Sequence, residues 1–274
     1  MALHPDPYRD LDAQADAARF VEALEMRGRT PIQARLRRRF LRFVPVHRGD
    51  RVLEVGCGSG VIVRDLTALV GRRGRVVGVD VSRVAVAMAR RLARGHPRTA
   101  SMTFRVGDGM RLPYRDAAFD TAIAVTVLLH AADPLRVVKE MARVVRARGR
   151  VGLQDQDFGT VAAAHPDAAL TDLIFDGVTR RIYEERYSGR RLPALLRAAG
   201  LERVRLLTDV YQDTTLAPYT KSFLERRAEN AVRFGIVEAP AAQRWLDGFT
   251  ALVAQGSFVF TMNYYGAAGV KAGA

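Results

Sequence analysis

A chain of 274 residues that is 49% hydrophobic can bury a sizeable core, as one large α/β domain or two small ones. Its net charge of +14 rests almost wholly on arginines that are scattered and not interleaved with aromatics, so nucleic acid is not the expected partner. A single cysteine, Cys57, excludes an intramolecular disulfide and fits a reducing compartment, and no apolar run approaches the ~20 residues needed to span a bilayer.

The opening MALHPDPYRD lacks the apolar core of a signal peptide, so a cytoplasmic protein without a membrane segment is expected. Residues 1–48 read as helices. The first runs from Leu11 to Arg27 with Ala17, Phe20, Val21 and Leu24 on one stripe, and Gly28 is expected to stop it. Pro31 opens a second helix that ends before Pro45, with the run Arg35 to Arg39 on a solvated face opposite Ile32, Leu36, Phe40 and Phe43. A strand, Arg51 to Val55, then feeds Gly56, Gly58 and Gly60 into a helix patterned on Ile62, Leu66, Leu69 and Val70. Such a glycine turn brings backbone N–H groups to the carboxyl edge of a sheet, where a ligand can approach the main chain. Glu54 is the anomaly. A carboxylate in a buried strand needs partners, so it is structural or it holds the loop and a ligand.

A second strand, Val76 to Val79, ends in Asp80, placed where a carboxylate can hold ribose hydroxyls. Ser82 caps the next helix, which buries Val84, Met88 and Leu92. Met102 to Val106 ends in Gly107-Asp108-Gly109, by itself an ordinary turn. Thr121 to Val127 is continuously apolar, as a central parallel strand should be. Asp133 and Pro134 open a helix, and Arg150 to Leu153 is a fifth strand. From Phe158 the alternation loosens. Residues 156–190 read as an inserted loop and helix, followed by a short helix, Leu192 to Ala199, and a strand, Glu202 to Thr208. Helices from Pro218 to Gly235 and Pro240 to Gln255 precede a final strand, Phe258 to Val270, with an irregular middle around Gly266.

The glycine spacing discriminates among ligand types. A dinucleotide fingerprint wants a third glycine where Val61 stands, and a phosphate-cradling loop wants a Gly-Lys-Ser/Thr that is absent. VLEVGCGSG, Val52 to Gly60, instead resembles the first motif of the class I S-adenosylmethionine-dependent methyltransferases. LPYRDAAFD, Leu112 to Asp120, resembles that family's connection into its fourth strand. The resemblance covers residues 45–155 strongly, 190–210 moderately and the C-terminal strand loosely.

It implies an α/β fold, a doubly wound, mostly parallel seven-stranded Rossmann-like sheet with helical lid segments, in a single domain over residues 1–274. Within that domain, 1–48 would be an N-terminal helical lid and 49–155 the cofactor-binding core. Residues 156–190 and 214–256 would be lid or substrate insertions, with 191–213 and 257–274 as closing strands. S-adenosyl-L-methionine would be the cofactor and S-adenosyl-L-homocysteine its product. The cofactor-binding residues implied are Glu54, Gly56, Cys57, Gly58, Gly60, Asp80, Val81, Asp108, Gly109, Met110, Val125 and Thr126. In the family the glycine loop wraps the amino-acid part, and an acidic residue at the position of Asp108 accepts from the adenine amine. A small polar residue often stands where Val125 and Thr126 are.

Methyl transfer needs a nucleophile held near the methyl carbon and a route for its proton. His130, just past the fourth strand and able to titrate near neutrality, is the best base candidate, with a structural hydrogen-bonding role as its alternative. Asp155 and Asp157 follow the fifth strand at the same edge and could orient an amine or accept a phenolic proton, with loop capping as theirs. Tyr8, Tyr183, Tyr187, Asn263 and Tyr264 are candidates to line an acceptor cavity, with packing as the plain alternative. The five histidines are dispersed, so no metal is expected. No Asn/Asp-Pro-Pro-aromatic motif follows the fourth strand, and Cys57 lies in the wrong loop for a pyrimidine-attacking thiolate. The expected acceptor is therefore a small, partly apolar metabolite, methylated on oxygen, nitrogen or carbon. An RNA- or ribosome-directed protein using the basic surface and a non-catalytic adenosylmethionine-binding module are the alternatives.

Overall fold

The computed structural model describes residues 6–97, 102–183 and 185–273. Five strands pair in parallel: β1 (Arg51–Val55), β2 (Arg75–Asp80), β3 (Met102–Val106), β4 (Phe119–Val125) and β5 (Val145–Gln156). Three more are antiparallel: β6 (Ala162–Ala163), β7 (Leu201–Asp213) and β8 (Phe260–Lys271). Hydrogen bonding runs in the order β3-β2-β1-β4-β5-β8, with β7 along one side of β8 and the two-residue β6 extending the β5 side. The sheet is thus doubly wound and mostly parallel, with a short eighth strand that the sequence pattern does not signal.

Nine helices accompany these strands among the described residues: α1 (Ala17–Arg29), α2 (Pro31–Phe43), α3 (Val61–Val70), α4 (Arg83–Arg94), α5 (Pro134–Val144), α6 (Ala168–Ile182), α7 (Ser188–Ala198), α8 (Pro218–Arg233) and α9 (Ala239–Ala254). Successive side chains of β1 point to opposite faces. Leu53 and Val55 join Val137 and Met141 of α5 and Leu192 and Leu196 of α7 on one side. Val52 packs with Phe40, Val63 and Leu66 on the other. A separate aromatic core gathers Phe175, Phe223, Trp245 and Phe249 from α6, α8 and α9 over Tyr211, Phe260 and Met262 of β7 and β8.

Several elements depart from the sequence pattern for identifiable reasons. Leu11–Ala13 is a separate 3-10 turn, and α1 begins only at Ala17. Asp12 turns away to accept from Arg83 N at 2.8 Å and from the hydroxyl of Ser82, so it caps α4 and not its own helix. Gly28 does not end α1. It sits inside the helix at a point where a Cβ would meet Val61 Cγ2 at 2.8 Å, and termination falls to Thr30, which caps α2 ahead of Pro31. On α3, Leu69 is 37% exposed, and Val63, Leu66, Thr67 and Val70 form the buried face. The fifth strand is far longer than Arg150 to Leu153, because its flanks pair with Phe119 on one side and with β8 on the other. Gly266 causes no irregularity: it pairs with Gln154 and Leu207, and its missing Cβ makes room for Phe40. The register shift lies instead in β7, between Glu202 and Arg205.

No helix among the described residues is long and apolar enough to cross a membrane. Trp245 is fully buried, stands edge-on to Phe175 and Phe249, and donates its ring N–H to Thr171 Oγ1 at 3.0 Å. Trp245→Ala should lower unfolding free energy by about 3–5 kcal/mol in a denaturant titration. A loss under about 1 kcal/mol would mean that the aromatic core is not tightly packed.

Candidate active site

The strand order reverses between β1 and β4, since β1 leads to β2 on one side while β3 leads to β4 on the other. In an open α/β sheet that switch point leaves a crevice at the carboxyl ends of the strands. Here the chain leaving each strand turns at a positive φ, at Gly56 (φ 69°) directly after β1 and at Thr126 (φ 55°) directly after β4. A Cβ on Gly56 would lie 2.4 Å from Val127 Cγ2, so glycine is required there for space as well as for conformation. The loop is pinned from β2: Gly56 N and Cys57 N donate to Val79 O, and Gly58 N donates to Asp80 Oδ2 at 2.8 Å. Cys57 turns its thiol against Gly78, and burial raises its pKa well above the ordinary range, which suits packing and not nucleophilic attack.

Two cavities meet at this point. The smaller, lined by Glu54, Gly56, Cys57, Gly58, Val125, Thr126, Gln154 and Tyr264, is roofed by Leu24, Arg27 and Gly28 of α1 and walled by Gln33 and Arg37 of α2. The larger, of about 930 Å³, shares Leu24, Arg27 and Thr126 with it and continues past Tyr8, His130, Gln156, Phe158, Tyr183, Tyr219 and Phe223. That volume suits a drug-sized organic molecule.

The smaller cavity holds two unsatisfied groups. Glu54 is 2% exposed and its Oε2 has no hydrogen-bond partner; burial first, and then the charge of Asp80, raise its pKa well above the usual carboxylate range. Gln154 Nε2 is likewise buried without a partner. Buried polar atoms are rarely left so. A free acceptor and a free donor beside bare glycine backbone fit the ammonium and carboxylate of an amino acid. The roof is tied down by the Arg64 guanidinium, which grips Glu25 of α1 at 2.6 and 2.8 Å, while Ser59 Oγ donates to the same carboxylate at 2.9 Å.

Gly60 is buried against Phe104 and Ala89, and the other expected cofactor residues lie outside both cavities on a more open shelf. Asp80 is partly buried, with Oδ1 accepting from Ser82 N at 2.9 Å, whereas Val81 is 58% exposed. Asp108, exposed, accepts from Met110 N at 2.8 Å, and a Cβ on Gly109 would meet Val55 Cγ1 at 3.0 Å. Glu54, Asp80 and Asp108 therefore share one edge of the sheet, since β1, β2 and β3 are adjacent and parallel.

In the larger cavity, His130 Nδ1 lies 2.6 Å from Asp6 Oδ2. With Nδ1–H donated to that carboxylate, Nε2 is the nitrogen left to accept a proton. Tyr8 and Tyr183 flank the ring at centroid distances of 5.0 and 5.9 Å. Tyr264, on the wall of the smaller cavity, receives hydrogen bonds at its hydroxyl from Gln33 (2.9 Å), Gln156 (2.8 Å) and Arg27 (3.2 Å).

Four of the expected residues line neither cavity. Asp155 is fully buried: its Oδ2 accepts from Ser188 Oγ at 2.7 Å and Leu129 N at 3.2 Å, and burial pushes its pKa up to about 6. Asp157 is also fully buried, clasped by Arg190 at 2.5 and 3.1 Å while it caps Gly159 N. Tyr187 packs between the guanidinium groups of Arg186 and Arg190, away from both cavities. Asn263 bonds through Nδ2 to Tyr265 OH, its backbone held by Thr160. Conversely, Arg27, Gln33, Gln154, Gln156, Tyr219 and Arg227 line the cavities without any local motif to mark them.

Comparison with known proteins agrees with this fold. Residues 53–153 match the family model for a methyltransferase domain. An uncharacterized 37.1 kDa protein in transposon TN4556 of Streptomyces fradiae is 34% identical over 74% of this chain and 58% of its own. The 27-O-demethylrifamycin SV methyltransferase of Amycolatopsis mediterranei is 34% identical over 61% of this chain and 60% of its own. The chain thus spans about six tenths of the length of these curated relatives. Among solved structures, the [4+2]-cyclase SpnF superposes with a TM-score of 0.54 at 25% identity, over 90% of this chain and 84% of that one.

Asp80→Ala should weaken S-adenosylhomocysteine binding by about tenfold or more in isothermal titration, equivalent to ~1.4 kcal/mol. Unchanged affinity would remove Asp80 from the ligand's reach.

Proposed function

We propose that this chain, which carries a class I S-adenosylmethionine-dependent methyltransferase domain, methylates an oxygen of a small, partly apolar acceptor held in the larger cavity. The observation that carries this reading is the junction of a glycine-turn cavity with an aromatic one across Leu24, Arg27 and Thr126. Oxygen is favoured over nitrogen or carbon because relatives named for O-methylation are among those matched, at 34% and 28% identity.

S-adenosylmethionine, when bound, supplies a methyl carbon activated by its sulfonium. The chain's own residues bind and orient. Glu54 would accept from the amino acid's ammonium, Gln154 would donate to its carboxylate, and the shelf from Asp80 to Asp108 would take the ribose and adenine. Thr126, on the shared wall, would mark the point where acceptor oxygen and methyl carbon meet. Positioning of this kind can supply about 7–11 kcal/mol. Tyr8 and Tyr183 would hold the acceptor against His130, whose Nε2 takes its proton while Asp6 fixes the ring.

The test is incubation with labelled S-adenosylmethionine and a panel of phenols and alcohols of one to three rings, read as methylated product and S-adenosylhomocysteine. His130→Gln should lower kcat about tenfold or more, with S-adenosylhomocysteine affinity unchanged. A smaller loss ends its candidacy as base. The likeness to a protein named as a [4+2]-cyclase supports a second reading, cyclisation without methylation, which a cyclised product of unchanged mass would favour.

Glu54 also sets a pH dependence. Its raised pKa means that the ligand-free protein favours the neutral acid, whereas a cationic ligand favours the carboxylate. Binding therefore releases a proton at pH below that raised value. Affinity for S-adenosylhomocysteine should fall as the pH is lowered through it, and Glu54→Gln should both weaken binding and flatten the profile in titrations across pH.

A further inference from the structure

Arginine is abundant in this chain, yet among the described residues only two arginines are classed as buried, Arg150 at 8% exposed and Arg227 at 4%. Arg150 has a counter-ion in Asp50 at 3.1 Å. Arg227 has none among the described residues. Its Nη1 donates to Thr179 Oγ1 at 3.0 Å, and its guanidinium lies over Phe223 (4.8 Å), Phe158 (5.0 Å) and Tyr183 (6.0 Å). Burial lowers its pKa, and the neighbours that counter this are phenols, Tyr183 and Tyr219.

The same side chain lines the larger cavity, and Arg27 enters that cavity from α1. Arg27 is likewise partnered by a neutral group, the hydroxyl of Tyr264, and rests over the ring of Tyr219. The acids that line the cavity, Asp16, Glu22, Glu225 and Glu229, are on α8 or at and near the start of α1, and Glu225 is already within 3.8 Å of Lys221. Asp16, Glu22 and Glu229 are exposed and share the mouth with the exposed Arg19, Arg226 and Arg233, so charge of both signs lies outside while Arg227 is buried.

A buried guanidinium over aromatic rings, facing a cavity and lacking a carboxylate, is the half of an ion pair that waits for its other half from outside. From this placement we propose that Arg227 anchors an anionic oxygen, a carboxylate or an ionised phenol, on an acceptor whose apolar body stacks against Phe158, Phe223 and Tyr183. This rests on reading the larger cavity as the acceptor site, and it narrows the substrate class from small and partly apolar to acidic and aromatic-sized. The fork geometry of arginine favours a two-oxygen group, so the carboxylate is the better match.

Two matched pairs of probes test this by isothermal titration, with and without S-adenosylhomocysteine: 2-naphthoate against methyl 2-naphthoate, and 4-nitrophenolate against 4-nitroanisole. The wild-type protein should bind at least one anion about tenfold more tightly than its neutral partner. Arg227→Met should bring that ratio below about threefold while S-adenosylhomocysteine affinity stays within about twofold, and Arg227→Lys should keep a preference for the anion. If the Met variant fails to fold, as judged by circular dichroism, Arg227→Gln serves in its place. Equal binding of both members of each pair, no measurable binding of either anion, or a preference that survives loss of the charge would overturn the proposal. A merely structural arginine would lower the melting temperature without touching the ratio. Failure of S-adenosylhomocysteine to bind, with the anion preference intact, would strike the methyltransferase reading and leave this one standing.

Discussion

Everything at the candidate site depends on one steric constraint: the chain leaving β1 must pass beside β4 with no room for a side chain. Val127 stands where a Cβ of Gly56 would go, and Thr126 beside it accepts a left-handed backbone although it is not glycine. Such a conformation is costly for a β-branched residue and is tolerated only where neighbours fix it. Here Thr126 N donates to Gln154 O at 2.7 Å, which stitches the end of β4 to β5. The two strand ends are thereby locked at the closest point between the cavities, and the cradle is built before any ligand arrives.

Above that locked floor lies a second apolar body. α6, α8 and α9 share an aromatic core with β7 and β8 that hardly overlaps the cores flanking the parallel strands. Phe158, Phe223 and Tyr183 belong to this core and also face the cavity. The wall that would touch an acceptor is therefore stiffened by packing on its far side, down to Trp245. Variation in this region would change the shape of the cavity without disturbing the glycine turn.

Much of the floor was legible in the sequence because its signals are local. Valine-rich strands, Gly56, Gly58 and Gly60, and Asp80 four residues after Val76 can each be read within a short window. The same holds for the helix starts, where Ser82 and Asp133 accept from the backbone three residues on. What could not be read depends on contacts distant in sequence. Asp12 reads as a helix residue until α4 is seen beside it, and the Glu25–Arg64 clasp joins elements 39 residues apart. Asp155 and Asp157 occupy the right edge of the sheet, but Ser188 and Arg190, both contributed by α7, draw their carboxylates inward. Arg27 and Arg227 are hidden differently. In a chain this rich in arginine, no local pattern separates these two, which lie over aromatic rings on the cavity walls, from the many others.

The same clasp and cap give α1 a property beyond shelter. It is a strap fastened at its front by Asp12 on α4 and at its back by Glu25 on Arg64. Burial works against both carboxylates, yet their hydrogen bonds to Ser82, Arg83 and Val84 in one case and to Arg64 and Ser59 in the other hold both pKa values below normal. A depressed carboxylate contributes its stabilisation above the ordinary range and loses it as acid protonates it. Protonating Asp12 and Glu25 would leave the Arg64 guanidinium without its carboxylate partner and take away the acceptor of Arg83 N and Val84 N at the start of α4, so acid weakens the hold of this segment. The seat of this helix over the smaller cavity is thereby tied to the ionisation of two carboxylates and not to apolar packing alone.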